Sequence, residues 1–267
     1  MPLTENYFTT MSALSEPRIP PELIRPIMEY IKDKTCLFSL AITCKAFQFD
    51  AERLLYNSVT QYRDIFTHTI FLTSINTAQR LPPLVKEYAV DSVVHRRDAI
   101  LWGLLQSALK KMINLKILNF REFSGQPSAD LILNAPFRLE KLYWGSHSDE
   151  EAMRVILAEQ KDLKSLRLNC NEETRPYSLD ACPNLTFLWG NRYSIEALLP
   201  GRKVISLSWV PDLDDSINDP VSGLEMEFSQ IKIMSFGGYF RRPSLSMIAH
   251  MLTSIELFEL IGCDEEV

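Results

Sequence analysis

The sequence predicts an α/β fold in two parts. A small N-terminal helical module spans 18–60, and a horseshoe-like solenoid with a parallel, concave sheet spans 61–267. Two observations predict it. A short pattern, Leu-x-x-Leu-x-Leu in its ideal form, recurs from Val85 to Leu260 at near-regular spacing. In front of it, three apolar runs carry helical rather than strand periodicity. Residues 1–17 are polar and aperiodic and read as a loose tail.

The front module comes first. Pro20-Pro21 gives a rigid start, and Leu23, Ile24, Ile27, Met28 and Ile31 then form one apolar stripe of a helix that must accommodate Pro26. Asp33 and Thr35 are candidate caps for a second helix with Leu37, Phe38, Leu40, Ala41 and Ile42 as its apolar positions. Phe47, Phe49, Ala51, Leu54, Leu55 and Tyr56 mark a third. Three such helices are too few for a self-sufficient core, so the module should dock on the array, on a partner, or on both.

The repeat units are Val85-x-x-Tyr88-x-Val90, Leu115-x-x-Leu118-x-Phe120, Leu139-x-x-Leu142-x-Trp144 and Leu163-x-x-Leu166-x-Leu168. Looser copies follow as Leu185-x-x-Leu188-x-Gly190, Val204-x-x-Leu207-x-Trp209, Ile231-x-x-Met234-x-Phe236 and Ile255-x-x-Phe258-x-Leu260. Steps between first positions run from 19 residues (Leu185 to Val204) to 30 (Val85 to Leu115). Leucine-rich repeats have periods of about 20–29 residues. One match to so short a pattern means nothing, but eight in series do. Each unit is a short strand with alternate residues turned inward, and each needs neighbours, which drives stacking.

Connecting segments supply the outer layer. Asp98 to Met112 carries Ile100, Leu101, Leu104, Leu105, Ala108, Leu109 and Met112 on a helical stripe. Ser148-Asp149-Glu150-Glu151 reads as a capping box before Met153, Val155, Ile156 and Leu157. Ser244 caps a further helix with Leu245, Ile248, Met251 and Leu252. Pro211 to Gly223, with four aspartates, reads as an exposed loop. The chain stops seven residues after Leu260, in Asp264-Glu265-Glu266-Val267, with no evident polar capping helix.

Strand alternation also names the opposite face. Ala89, Asn119, Tyr143, Arg167, Trp189, Ser208, Ser235 and Glu259 should form one outward column. Tyr143, Arg167 and Trp189 are consecutive in it, and these residue types dominate binding hot spots. With Arg121 and Asn169 beside them, they are the candidate substrate-binding residues. Two readings stay open: a substrate face, or cross-strand and cation–π packing with no ligand. Gly190 leaves an inward position without a side chain.

The front segment resembles a known family. Ile19-Pro20-Pro21-Glu22-Leu23-Ile24, Ile27, Ile31, Thr35 to Leu40, Cys44-Lys45-Ala46-Phe47 and Leu55-Tyr56 follow the order of an F-box. The array behind it is similar to that of F-box proteins with leucine-rich repeats, especially fungal ones. The motif departs in having Ile19 where many members have leucine, and Phe47 and Phe49 where many have a late tryptophan. The resemblance implies binding to the Skp-type adaptor of a cullin–RING ubiquitin ligase. Ile19, Pro20, Leu23, Ile24, Ile27, Ile31, Leu37, Leu40 and Phe47 would form or support the adaptor face. Periodicity alone would instead favour a cap that shields the first repeat and binds nothing.

Other functions find little support. The formal net charge is −6, so no general attraction to nucleic acid is expected. Five cysteines without C-x-x-C spacing argue against a disulfide framework or a zinc site. No signal peptide or membrane span is visible, which fits an intracellular, cytoplasmic or nuclear protein. His68, His95, His147 and His250 are scattered, and no hydrolase, Walker or dinucleotide motif occurs. The expectation is a non-enzymatic receptor without metal or cofactor. It would hold an unknown protein substrate for ubiquitination; the alternative is a repeat scaffold not linked to ubiquitin.

Overall fold

The computed structural model describes residues 19–43, 45–60, 64–90, 99–121, 127–146, 149–171, 175–211, 223–237 and 246–262. The expected tail, the aspartate-rich loop, the caps Ser148 and Ser244 and the acidic end lie outside these residues. The chain divides into two compact units, Met1–Leu55 and Tyr56–Val267.

In the first unit, α1 spans Pro21–Glu29, α2 Lys34–Thr43 and α3 Lys45–Asn57. Pro21 takes the first helical position, where a missing N–H costs nothing, and Pro26 lies inside the helix. Asp33 starts α2 as expected, its carboxylate accepting from the Thr35 N–H at 3.0 Å. The core is small: Ile24, Met28 and Ala51 are buried, with Ile31, Leu40, Ala41, Phe47 and Leu54 packed around them. Glu29 ties α1 to α3 by accepting from Arg53 Nη2 at 3.0 Å, and it also accepts from Arg25 Nε at 3.2 Å.

Among the described residues, the second unit is built on one sheet of nine parallel strands in sequence order. They are β1 Ser58–Val59, β2 Glu87–Val90, β3 Ile117–Arg121, β4 Lys141–Gly145, β5 Ser165–Leu168, β6 Phe187–Gly190, β7 Ser206–Trp209, β8 Ile233–Gly237 and β9 Leu257–Ile261. Eight follow the repeat pattern in the expected register, giving a leucine-rich-repeat-like solenoid. The ninth, β1, was not expected; its two residues were assigned to the front module. Outer segments are α4 Ile65–Thr77, α5 Ala99–Lys111, α6 Glu150–Glu159, α7 Arg192–Leu198, α8 Glu225–Phe228, α9 Ser246–Ala249 and two 3-10 turns, Pro82–Leu84 and Ala129–Leu131. The sequence reading missed α4 and α7, although each carries a cap signal. Asp64 accepts from Thr67 N at 2.7 Å and Asn191 from Ser194 N at 3.1 Å.

The inward strand positions form the core. Tyr88, Leu118, Leu142, Leu166, Leu188, Leu207 and Met234 are all buried, as are Phe120, Trp144, Leu168, Trp209 and Phe236. Phe120 and Trp144 stack at 4.4 Å between centroids, and Trp209 meets Phe236 edge-on at 5.2 Å. At β9 the inward positions Phe258 and Leu260 stay exposed, contrary to expectation. This strand pairs on one side only. Ile100 and Val155 are also exposed rather than part of their helices' buried stripes. Only a narrow arc of each helix is buried, centred on Leu101, Leu105 and Leu109 in α5 and on Met153, Ile156 and Leu157 in α6.

In the middle of the array, buried polar side chains latch a repeat to the one before it. Asp149 occupies the N-cap of α6 without a side-chain bond to that helix, while Ser148, on which the expected capping box rests, lies outside the described residues. Its carboxylate accepts instead from the N–H groups of Ser128 and Ala129 at 2.7 and 2.9 Å, and from Trp144 Nε1 at 2.9 Å. Gln160 accepts from the Leu139 N–H at 2.7 Å. Asn191 donates to the Cys170 carbonyl at 2.7 Å. The Arg202 guanidinium spans the carbonyls of Ala181 and Ser178 at 3.0 and 2.6 Å. Satisfying backbone groups that strand pairing leaves open is what these buried polar residues do.

Gly190 is explained by the same layer. A Cβ there would lie 2.4 Å from the Leu168 carbonyl oxygen and 2.6 Å from Ser194 Cβ. Ser194 of α7 fills the space and accepts from the Cys170 N–H at 2.9 Å. The missing side chain is replaced by a neighbour from the following helix.

Candidate protein-interaction faces

On the sheet, the outward column has the register that alternation predicts. Ala89 pairs with Asn119, Asn119 with Tyr143, Tyr143 with Arg167, and Arg167 with Trp189. The column continues through Ser208 and Ser235 to Glu259. Tyr143 is its hub. The Arg121 guanidinium carbon lies 4.8 Å from the Tyr143 ring centre and that of Arg167 lies 5.7 Å away. Trp189 meets the same ring edge-on at 6.1 Å. Asn169 is not brought to this group. It lies beyond β5 and lines a separate crevice with Cys170 and Tyr177.

A hollow of about 580 Å³ opens on the face from β2 to β6. Tyr143 and Arg167 line it, whereas Trp189 does not. Its other walls come from a second outward row, including Glu87, Ile117, Lys141, Ser165 and Phe187. The sequence reading did not name that row, though these residues stand two positions before the named column and follow from the same alternation. The Phe187 ring centre lies 5.9 Å from the Arg167 guanidinium carbon. Glu87 accepts from Ser58 Oγ at 2.6 Å. Among the described residues, no ion pair engages Arg167 or Lys141. Beyond β6 the face changes: Ser206, Ser208 and Ser235 occupy it, and Ser235 Oγ donates to Glu259 at 2.9 Å.

In the front unit, the nine candidate adaptor residues separate by burial. Ile24 and Leu37 are buried, and Ile31, Leu40 and Phe47 are half-buried. Ile19, Pro20, Leu23 and Ile27 are exposed; Ile19, Leu23 and Ile27 each keep about half of their surface open. Leu23 and Ile27 share one helical face while Ile24 and Met28 fill the core from another. Phe38 and Ile42 were expected among the packed apolar positions of α2. They are exposed instead, as is Phe49 of α3, so the open apolar surface is wider than α1 alone.

Reactive groups do not converge on either face. Burial pushes the Cys182 thiol up to about 12, so it stays protonated and serves as packing. The Cys36 thiol is also raised, by its hydrogen bond to the Asp33 carboxylate. Among the described residues no cluster of His, Cys, Asp and Glu is arranged to hold a metal ion, and no helix is long and apolar enough to cross a membrane.

No family model matches the sequence, and no curated protein matches it. Solved structures do. An internalin C2 from Listeria monocytogenes is 12% identical, with the match covering 71% of this chain and 92% of that chain at a TM-score of 0.38. Likeness at that level decides nothing about this chain, whose repeat architecture rests on the register of its own strands.

Proposed function

We propose that this protein is the substrate-recognition subunit of a Skp–cullin–F-box-type ubiquitin ligase. The front helices dock a Skp-type adaptor, and the outward face of the repeats holds a protein substrate. One observation carries the reading. Ile19, Leu23 and Ile27 are exposed where the F-box resemblance puts adaptor contacts, while Ile24 and Leu37 support them from within. Exposed apolar residues grouped on one small module mark a surface made for a partner. In this reading the chain supplies no catalytic group. It raises the local concentration of substrate near a ubiquitin-loaded conjugating enzyme.

Co-purification with the adaptor tests the proposal. The wild-type chain should retain it, and Leu23→Asp with Ile27→Asp should lose it while the repeat unit keeps its melting profile. A wild-type chain that retains no adaptor would leave the broader reading, a protein-interaction scaffold. That reading is favoured by the built aromatic and cationic hollow on the repeats, which needs no adaptor.

A further inference from the structure

We infer that the hollow between β2 and β6 captures an extended acidic segment of a partner protein, with carboxylates at alternate positions. The inference deepens the proposed role of the repeat face and rests on it.

Charge comes first. The chain as a whole is acidic, with a formal net charge of −6. The face from β2 to β5 reverses that sign: Arg121, Lys141 and Arg167 point outward there against Glu87, which already accepts from Ser58. Desolvated or paired cations are common on protein surfaces, but Arg167 and Lys141 have no carboxylate partner among the described residues.

Geometry narrows the ligand. The Arg167 guanidinium carbon lies 5.7 Å from the Tyr143 ring centre and 5.9 Å from that of Phe187. A guanidinium beside aromatic rings keeps N–H groups to donate, and arginine grips a carboxylate with two parallel bonds. Lys141 stands diagonally from Arg167, because Tyr143 pairs with Arg167 and Lys141 with Ser165. Diagonal side chains on neighbouring strands are about 7–8 Å apart. Carboxylates two residues apart on an extended chain are about 6.8 Å apart and share one side. Two separate cations therefore match two separate carboxylates better than one compact dianion.

Fluorescence anisotropy of the full chain with a labelled peptide tests this, using a peptide with an Asp-Val-Asp core and its Asn-Val-Asn counterpart. The acidic peptide should bind and weaken as salt rises, and the Asn peptide should not bind. Arg167→Gln and Lys141→Gln should each weaken binding about tenfold. Arg138→Gln, an equal charge change at an exposed residue that does not line the hollow, should leave it unchanged. Equal binding of the Asn peptide, equal loss in the Arg138 variant, or binding of a singly phosphorylated serine peptide alone would each overturn the inference.

Affinity capture with Tyr143, Arg167 and Trp189 all changed to alanine separates this failure from that of the underlying role. If the acidic peptide fails but the triple variant loses a protein the wild type captures, the face binds a partner of other chemistry. If capture is unchanged in the triple variant, the role of the face itself falls.

Discussion

The two units treat apolar residues in opposite ways. From β2 to β8 the inward strand positions are closed off, and the apolar side chains left open are scattered. The front unit buries Ile24, Met28, Leu37 and Ala51, while Ile19, Leu23, Ile27, Phe38, Ile42 and Phe49 remain open. A solenoid can complete its own core because each repeat covers the next. Three short helices cannot, and the surplus of open apolar surface is what a partner would cover. The contrast separates residues that hold the chain together from apolar residues left open.

Substitutions can break that contrast, beginning inside the repeats. Trp144→Ala removes a fully buried ring stacked on Phe120 and the donor to Asp149. It should destabilise the repeat unit by about 3–5 kcal/mol. Urea unfolding followed by the fluorescence of Trp102, Trp189 and Trp209 would measure it, since all four tryptophans lie in this unit. A loss under about 1 kcal/mol would mean that the stack is not a core element. Next comes Gly190→Ala, whose Cβ must displace Ser194 or the Leu168 carbonyl. A loss of about 1–3 kcal/mol in the same assay is expected for such overpacking.

In the front unit the same chemistry should act differently. Leu23→Asp and Ile27→Asp touch half-open side chains, so each should change stability by no more than about 0.5 kcal/mol. A large loss in far-UV circular dichroism would show that these residues belong to the core and not to a docking face. The smallest effect concerns Glu29. Hydrogen bonds from Arg53 and then Arg25 hold its carboxyl below the usual carboxylate range. A depressed value means that the α1–α3 tie is fully present above the ordinary value of about 4.5 and is lost as pH falls through the lowered one. Protection factors of the α1 amides, corrected for the intrinsic pH dependence of exchange, should fall on acidification in the wild type and change less in Glu29→Gln. Equal responses would remove the tie from the account.

Much of this was legible in the sequence, because strand alternation and repeat spacing are both local signals. Eight strands and the column from Ala89 to Glu259 follow from them directly. The two-residue strand β1 is too short to carry a period. Ile100 and Val155 fit the apolar stripes of α5 and α6, yet only part of each stripe is buried, a tertiary fact. The second outward row was available from alternation, but the hollow it walls depends on side chains converging across β2 to β6. Nor could sequence show that Asp149 turns away from its own helix to serve Ser128 and Ala129. Competing donors for one carboxylate are settled by distance.

The unstaggered pairing of the strands also bears on how this surface can change over generations. From β2 to β9 each strand meets its neighbour at the same depth, so outward side chains sit on a lattice, with repeats along one axis and strand positions along the other. A point substitution alters one address and leaves the inward residues on either side in place. A residue gained or lost within a strand would instead turn that strand's remaining side chains to the opposite face. Binding preference can therefore drift smoothly by substitution at single addresses, while changes of length are confined to the connections between strands.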